Sequence, residues 1–308
     1  MFPRKKHRIT FETLAQNWLD SRRLEVKPAT LANYRTLIHT HLLPEFGPRP
    51  VSKLTEDDVR GYLIRLADSG LAESTRRSIQ LTLHMILRSG AHRGLMRPVD
   101  FPPMPTPHRP AVQTFTDEEF FQLENNLLAS LDPAALGILL CMYTGLRIGE
   151  VCALRWSEID LSAGTVTVAR TLQRVSGPQG TRILIDTPKS AHSVRLVPIP
   201  RRLLPLMRVY AAPPGAYLLT GTAAYMEPRQ LQRIFKCILR RAGLRPVKFH
   251  TLRHTFATRC APLTDPKTLS CLLGHSSVSI TMSLYVHPGA EQLRRCVDQL
   301  PVCGRIPA

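Results

Sequence analysis

The sequence predicts a mainly α-helical protein with a small antiparallel β-sheet, arranged as an N-terminal helical bundle and a larger mixed α+β domain. Three observations predict this class. Apolar residues recur at helical spacing through most of residues 10–96. Six prolines lie between Pro98 and Pro110, a density that excludes helix interiors and favours an extended connection. Short runs rich in Val, Ile and Thr then occur between residues 164 and 199, and helical spacing returns after them.

The N-terminal segment carries the signals of four helices, which fit a small bundle. Thr10 is a candidate N-cap for the first helix, and a second helix is expected from near Pro28 until Leu43-Pro-Glu-Phe-Gly-Pro breaks it. An acidic first turn at Thr55–Asp58 opens the third helix, and Ser74 or Thr75 is expected to cap the fourth. The predicted core positions include Phe11, Leu14, Trp18, Leu19, Leu31, Tyr34, Leu37, Ile38, Val59, Tyr62, Leu63, Leu66, Ile79, Leu83, Ile86 and Leu87.

The second half mixes helices with strands. Thr116-Asp-Glu-Glu is a capping box that opens a helix, and an apolar helix over 133–146 is expected to end at Gly145. The β-like runs begin at Gly164, Arg182 and Val194, and near-alternation predicts that they form one small antiparallel sheet. Four further helices are predicted at Pro228–Ala242, Thr251–Cys260, Pro266–Leu273 and Ser277–Val286.

Composition and charge limit the classes of function that the chain can have. The longest apolar run, Ala134–Met142, is far shorter than the roughly 20 residues that span a bilayer, and seven cysteines without paired short spacings indicate reduced thiols. A cytoplasmic protein without a membrane partner is therefore expected. Residues 1–112 contain 18 Lys and Arg against 10 Asp and Glu, and residues 113–308 contain 23 against 13. Because both halves are basic, the chain suits a long polyanion such as nucleic acid.

Metal-dependent chemistry has weak support in this sequence. It contains no G-x-x-x-x-G-K-[ST] phosphate loop. His250 and His254 are four residues apart and could lie on one helix face, but no Glu follows the first of them. Cys271 and His275 would supply half of the ligands of a zinc site. We therefore expect neither a metal nor a cofactor.

Basic groups instead occur in motif-like settings. Thr144-Gly-Leu-Arg-Ile-Gly-Glu places Arg147 just beyond a buried helix, and Thr187-Pro-Lys-Ser-Ala-His places Lys189 in a turn between strands. His250-Thr-Leu-Arg puts His250 and Arg253 on one face at a helix start. His275 follows Leu-Gly at a turn, and Tyr285 lies ten residues later. Singly, each is typical of a surface or packing residue. Together they can neutralise a phosphate, attack it and protonate a leaving oxygen.

These motifs resemble those of the tyrosine recombinase (phage integrase) family, which is related to the IB-type topoisomerases. The resemblance covers nearly the whole chain. It implies a core-DNA-binding domain at 8–97, a linker at 98–112, a catalytic domain at 113–288 and a tail helix at 289–308. Leu293, Cys296, Val297 and Leu300 form an apolar stripe in that tail, which leaves open docking on a neighbouring protomer or packing within the same chain.

The resemblance also implies roles for individual residues. Arg147 and Arg253 would clamp the scissile phosphate, and Lys189 would protonate the departing 5′ oxygen. His250 would assist proton transfer at the tyrosine, His275 would hydrogen-bond a phosphate oxygen, and Tyr285 would attack to form a 3′-phosphotyrosine. Glu150 would orient an arginine and a histidine, and the pattern gives His254 and Thr255 structural roles.

The implied function is site-specific DNA recombination in the integration or excision of a mobile element or phage. The partners would be double-stranded DNA, further copies in a tetrameric synapse and accessory DNA-bending proteins, with a free monomer and a nucleoid location when bound. Between Cys260 and Asp265 the chain reads Ala-Pro-Leu-Thr, which is shorter than the family's turn and lacks its glycine. A catalytically impaired DNA-binding relic and a relaxing topoisomerase are the alternatives.

Overall fold

The computed structural model describes residues 9–102, 112–177, 180–186, 194–275 and 277–285. The chain divides into two compact units, the first comprising Met1–Pro110 together with Arg174–Arg182 and the second comprising the remainder. Residues 103–111 of the expected linker and the whole expected tail at 289–308 lie outside the described residues. Among the helices that are described, none is long and apolar enough to cross a membrane.

The first unit is a bundle of helices around one apolar core. Its helices are α1 (Phe11–Arg22), α2 (Pro28–Leu37), α3 (Leu43–Phe46), α4 (Glu56–Ala67) and α5 (Glu73–His92). Thr10 caps α1 through its side chain, and Thr55 and Asp58 form a capping box at α4. Phe46 lies at the centre, 5.5 Å from the ring of Phe11 and 5.1 Å from that of Tyr62. The predicted cap at Thr10 and the predicted acidic turn are thus confirmed.

The helical stretch that begins with α2 continues through a wider turn before it ends. A π-helical turn, Ile38–Leu42, follows α2 directly and leads into α3, so Leu43-Pro-Glu-Phe stays helical as far as Phe46. The Leu43 N–H reaches back to the Ile38 carbonyl, and Pro44 occupies the first turn of α3, where a missing N–H is tolerated. The predicted break therefore does fall within Leu43-Pro-Glu-Phe-Gly-Pro, at Gly47 rather than at Pro44, because a wider turn accommodates the proline.

The cap predicted for the fourth helix is wrong. Helix α5 starts at Glu73 with Ala72 as its N-cap, and no side chain in the described part of the chain caps it. The Ala72 carbonyl already accepts from the N–H groups of Thr75 and Arg76, so Ser74 and Thr75 lie inside the first turn. Their hydroxyl groups are therefore past the position at which an N-cap side chain acts.

The second unit contains the longer mixed segment. Its helices are α6 (Asp117–Ala129), α7 (Pro133–Thr144), α8 (Ile148–Ala153), α9 (Leu204–Val209), α10 (Pro228–Arg241), α11 (His250–Cys260), α12 (Pro266–Leu273) and α13 (Val278–Tyr285). Helix α7 is buried on nearly all sides and forms the centre of the core. The capping box at Thr116 and the end of α7 at Gly145 confirm the predictions. The short helices α8 and α9 were not predicted.

Within the described residues, the strands form two sheets rather than the single sheet that was predicted. One sheet has the order β1 (Ile159–Asp160), β2 (Thr165–Val168) and β5 (Arg195–Pro198), all antiparallel. The other pairs β3 (Thr171–Gly177) with β4 (Gly180–Asp186). Val166, Val168 and Val197 are buried against the core, whereas the residues of β4 are exposed or half-buried. Alternation alone did not distinguish the strand that joins the core sheet from the one that does not.

Candidate active site

Arg147 is positioned by a sharp end to the central helix. Helix α7 terminates at Gly145, whose φ of +64° is in the left-handed region that favours glycine. A Cβ atom added there would lie 2.5 Å from the Phe256 ring. Because the backbone at Gly145 lies against Phe256, the chain turns sharply there. Arg147, two residues later, is the N-cap of α8.

Glu150 holds the side chain of Arg147 in place. Its carboxylate accepts from the Arg147 backbone N–H at 2.9 Å and from Arg147 Nη1 at 2.8 Å. The same carboxylate forms a two-pronged ion pair with Arg195, with bonds of 3.0 Å and 2.8 Å. Burial acts to raise the pKa of Glu150, but the bonds to Arg195 and the charge of Arg147 outweigh it and hold the pKa at about 2. Glu150 is therefore ionised throughout the physiological range.

Three guanidinium groups bind successive backbone carbonyls at the end of α12. Arg195 Nε donates to Leu272, Arg253 Nη2 to Leu273 and Arg147 Nη2 to Gly274, at 2.9, 2.7 and 3.1 Å. The last carbonyls of a helix lack intrahelical partners and carry partial negative charge. The C-terminus of α12 is thus a common anchor that holds three arginines near one another.

Arg253 is the most deeply buried charge of this group. It lies on α11, is 2% exposed and also donates from Nη1 to the Gly145 carbonyl at 2.8 Å. Burial and the neighbouring charge of Arg147 lower its pKa to about 9, so it is protonated at neutral pH. A guanidinium has five N–H donors, and the bonds to the carbonyls of Gly145 and Leu273 leave others for a further anion.

Tyr285 lies at the end of α13 and is 7% exposed. Its Oη is 2.7 Å from Nδ1 of His254, one turn beyond His250 on α11. The His275 ring lies parallel to the tyrosine ring at 6.3 Å, and its Nδ1 is 2.8 Å from Thr281 Oγ1. Burial raises the pKa of Tyr285, whereas the positive charges of Arg253 and Arg147 act to lower it.

The histidines are neutral at physiological pH. Burial and the charges of Arg253 and Arg147 lower the pKa of His275 to about 4. Burial and Arg253 also lower the pKa of His254. His250 is more exposed, but partial desolvation and the neighbouring His254 and Arg253 lower its pKa as well. Its ring contacts that of His254 edge-on, with centroids 4.6 Å apart.

The structure brings together five of the six site residues expected from the sequence. These are Arg147, His250, Arg253, His275 and Tyr285. Lys189, the sixth, lies outside the described residues, in the segment between β4 and β5. Thr255 has the structural setting expected of it, because its hydroxyl accepts from the Phe115 N–H and donates to the Thr251 carbonyl, both at 2.9 Å.

Two features of the cluster were not predicted from the sequence. Arg195 was counted only as part of a β-like run, although it lies two residues from buried Val197 and so on the inward side of β5. An arginine at an inward strand position is the signal that could have identified it. His254 was assigned a structural role, whereas the structure places it on the Tyr285 hydroxyl.

The shortened turn after α11 is compact. Ala261–Leu263 form one turn of 3-10 helix that continues from Cys260, and Thr264 is extended. The side chain of Asp265 then caps α12 by accepting from the N–H groups of Lys267 and Thr268. A 3-10 turn thus replaces the glycine cap, and Arg253 and His275 remain in the same cluster.

Comparisons with known proteins show the family to which the chain belongs. Residues 116–292 match the model of the phage integrase family, and residues 10–67 match that of the phage integrase N-terminal SAM-like domain. A tyrosine recombinase XerC-like protein of Caldanaerobacter subterraneus subsp. tengcongensis is 27% identical, over 95% of this chain and 83% of that protein. The ICEBs1 integrase of Bacillus subtilis is 24% identical, over 96% and 84%.

Solved structures share the fold. The integrase of the Tn1549 transposon, in complex with a circular intermediate DNA, superposes with a TM-score of 0.80 at 20% identity, covering 95% of this chain and all of that one. A lambda integrase dimer bound to a COC′ core site superposes with a TM-score of 0.67 at 18% identity, covering 92% and 97%.

Proposed function

This chain belongs to the phage integrase family of tyrosine recombinases, a class of enzymes, and we propose the reaction that it catalyses and the roles of its residues. The reaction is site-specific DNA recombination by metal-independent strand cleavage and rejoining. Each cleavage forms a 3′-phosphotyrosine bond at Tyr285, which conserves the energy of the phosphodiester for rejoining. The biological event is the integration or excision of a mobile element or phage.

One observation carries the proposal: two backbone-anchored guanidiniums, Arg147 and Arg253, lie in one cluster with the Tyr285 hydroxyl. Arg147, Arg195 and Arg253 with Glu150 amount to three positive charges and one negative charge. The surplus of two charges suits a phosphodiester that passes through a transition state with negative charge on its non-bridging oxygens. Guanidiniums can contact those oxygens through paired N–H groups without a metal.

The remaining roles concern protons. His275 donates a hydrogen bond to a phosphate oxygen, and its neutral ring does so through Nε2, because Nδ1 faces Thr281. His250 assists proton transfer at the tyrosine side of the site. Lys189 protonates the 5′ oxygen as it leaves, since an alkoxide is a poor leaving group at neutral pH.

The chain acts on duplex DNA through both of its domains. The net charges of residues 1–112 and 113–308 are +8 and +10, so each can neutralise phosphates. A lambda integrase related in fold has been solved as a tetramer bound to a Holliday junction. We propose that this chain is monomeric when free, forms a tetrameric synapse on two sites with accessory DNA-bending proteins, and docks its tail at 289–308 on a neighbouring protomer.

The test is strand exchange between two DNA sites. DNA flanking the chain's own gene is placed as two copies on one plasmid and incubated with the purified full-length chain. Recombination predicts deletion or inversion of the intervening DNA that depends on both copies. Relaxation of plasmids that lack the sites would favour a topoisomerase. Binding without any covalent intermediate would favour a catalytically inactive DNA-binding protein.

A further inference from the structure

The Tyr285 hydroxyl faces a histidine that the expected assignment of roles leaves unused. Nδ1 of His254 lies 2.7 Å from Tyr285 Oη, within the distance at which a general base removes a proton. We propose that His254 is a catalytic residue, the base that takes the proton from Tyr285 as its oxygen attacks phosphorus. This inference rests on the proposed recombination chemistry and assigns the proton's immediate acceptor.

The other histidines of the cluster are oriented differently. His250 contacts the His254 ring edge to face, with centroids 4.6 Å apart at 88°, whereas the contact with the hydroxyl is made by Nδ1 of His254. His275 stacks parallel to the tyrosine ring, at 9°, and directs Nδ1 to Thr281. Within the described part of the chain, His254 is the hydrogen-bond partner of the Tyr285 hydroxyl.

The protonation states suit this direction of transfer. The positive charge of Arg253 beside His254, together with burial, disfavours the imidazolium before reaction, so the ring is neutral. A neutral ring that carries its proton on Nε2 presents the lone pair of Nδ1 to the hydroxyl. Arg253 and Arg147 meanwhile favour the tyrosinate that develops during attack. The charged and titratable groups facing this pair are Arg147, His250, Arg253 and His275.

In cleavage and in rejoining, each proton that leaves one group is taken up by another. As the bond between Oη and phosphorus forms, the hydroxyl proton moves to Nδ1 of His254 and the bond between phosphorus and the 5′ oxygen breaks. That oxygen receives a proton from Lys189. In rejoining, a 5′ hydroxyl attacks the phosphotyrosine and gives its proton to Lys189, and His254 returns a proton to the departing Tyr285 oxygen.

Two substitutions at one position separate a base from a positioning contact. Asparagine places an amide where Nδ1 stands, so His254→Asn can keep the hydrogen bond but has almost no basicity, and His254→Ala removes both. The measurement is single-turnover formation of the covalent adduct by the full-length chain on a nicked suicide duplex made from the DNA flanking its gene. We expect both variants to be slowed alike, by about 100-fold. Cys237→Ala, an uncharged control on the exposed face of α10, should react at the wild-type rate.

The substrate and pH distinguish this role from that of the leaving-group acid. A duplex with sulfur at the bridging 5′ position needs no proton on its leaving group. This duplex should restore cleavage by Lys189→Ala but leave cleavage by His254→Asn slow. The reason is that His254→Asn is impaired in deprotonating the attacking tyrosine, not in protonating the leaving group. The wild-type rate should fall only as His254 becomes protonated, below pH 6.5, whereas the rate of His254→Asn should keep rising as the solution becomes more alkaline.

A measurement without DNA tests the same contact. In ¹⁵N spectra of the full-length chain, His254 should carry its proton on Nε2, and Tyr285→Phe should perturb the Nδ1 signal. A proton on Nδ1, or a near-wild-type rate for His254→Asn, overturns the inference while leaving the proposed function intact. Failure of the wild-type chain to form any adduct on the suicide duplex contradicts the proposed function, and the inference falls with it.

Discussion

Arg195 and Glu150 form a two-pronged ion pair in which both side chains are less than 10% exposed. Arg195 also donates to the Leu272 carbonyl at the end of α12. A Cβ atom added to Gly274, whose φ is +63°, would lie 2.8 Å from Nη1 of Arg195. The ion pair therefore connects β5, α8 and the end of α12, the elements that hold Arg147 and Arg253.

Replacing Arg195 with Ala should destabilise the second unit. Glu150 would remain buried with Arg147 as its single ion-pair partner, and breaking a buried pair from one side costs about 3 kcal/mol or more. The measurement is urea unfolding of the full chain followed by the fluorescence of Trp156, with Trp18 replaced by Phe in every variant. Arg233→Ala on the exposed face of α10 is the control and should stay within about 0.5 kcal/mol. A loss below about 1 kcal/mol for Arg195→Ala would contradict this interpretation of the ion pair.

The same ion pair predicts sensitivity to acid. The pKa of Glu150 is about 2 in the folded chain, against 4.5 for an unperturbed Glu. A lowered folded-state pKa gives stability that is present above the unfolded pKa and is lost as pH falls from about 4.5 through about 2. The difference corresponds to about 3 kcal/mol. The free energy of unfolding at pH 7 and pH 3 should therefore differ less in Glu150→Gln than in wild type, and an equal difference would show that Glu150 is not the group responsible.

Much of the fold was predictable because its signals are local. The caps at Thr10, Thr55 and Thr116 and the glycine end of α7 are each specified within four residues. The features that escaped prediction depend on distant partners. The turn across Pro44 is packed beneath α4, where the Tyr62 hydroxyl donates to the His41 carbonyl at 3.1 Å.

The candidate site was likewise predictable where its signals are local. Motif spacing identified Arg147, Arg253 and Tyr285, because the residues of each motif lie on one helix or turn. The partners of those residues come from other elements. His254 and Tyr285 are 31 residues apart, and Arg195 and Glu150 are 45 apart, so sequence spacing could not reveal either contact.

The assignment of Lys189 as the acid predicts selective rescue. Lys189→Ala should fail to cleave ordinary DNA but should cleave a duplex with a bridging 5′ sulfur, because a thiolate leaves without protonation. Arg147→Ala should gain little from sulfur, since it acts on the non-bridging oxygens. The yield of covalent adduct on the two duplexes measures the effect. Equal rescue of both variants would show that Lys189 is not the acid.

Binding to duplex DNA should depend steeply on salt. Each phosphate neutralised contributes about −0.9 to the slope of log affinity against log salt concentration. With net charges of +8 and +10 on the two halves, we expect contacts to several phosphates and a correspondingly large negative slope for non-specific duplex. Fluorescence anisotropy over a range of salt concentrations provides the measurement. A slope near zero would contradict binding through both domains.

The proposed reaction depends above all on covalent attachment of DNA to Tyr285. The full-length chain and its Tyr285→Phe variant are each incubated with a suicide duplex from the DNA flanking the gene, and the products are mapped. The substitution keeps the ring and removes one hydrogen bond to His254, a loss of about 1 kcal/mol, so the variant should fold and bind DNA. The wild-type chain should form one link per cleaved strand, at the 3′ phosphate and with a free 5′ hydroxyl, and Tyr285→Phe should form none. An adduct that persists in Tyr285→Phe, or a free 3′ hydroxyl at the break, would contradict the mechanism.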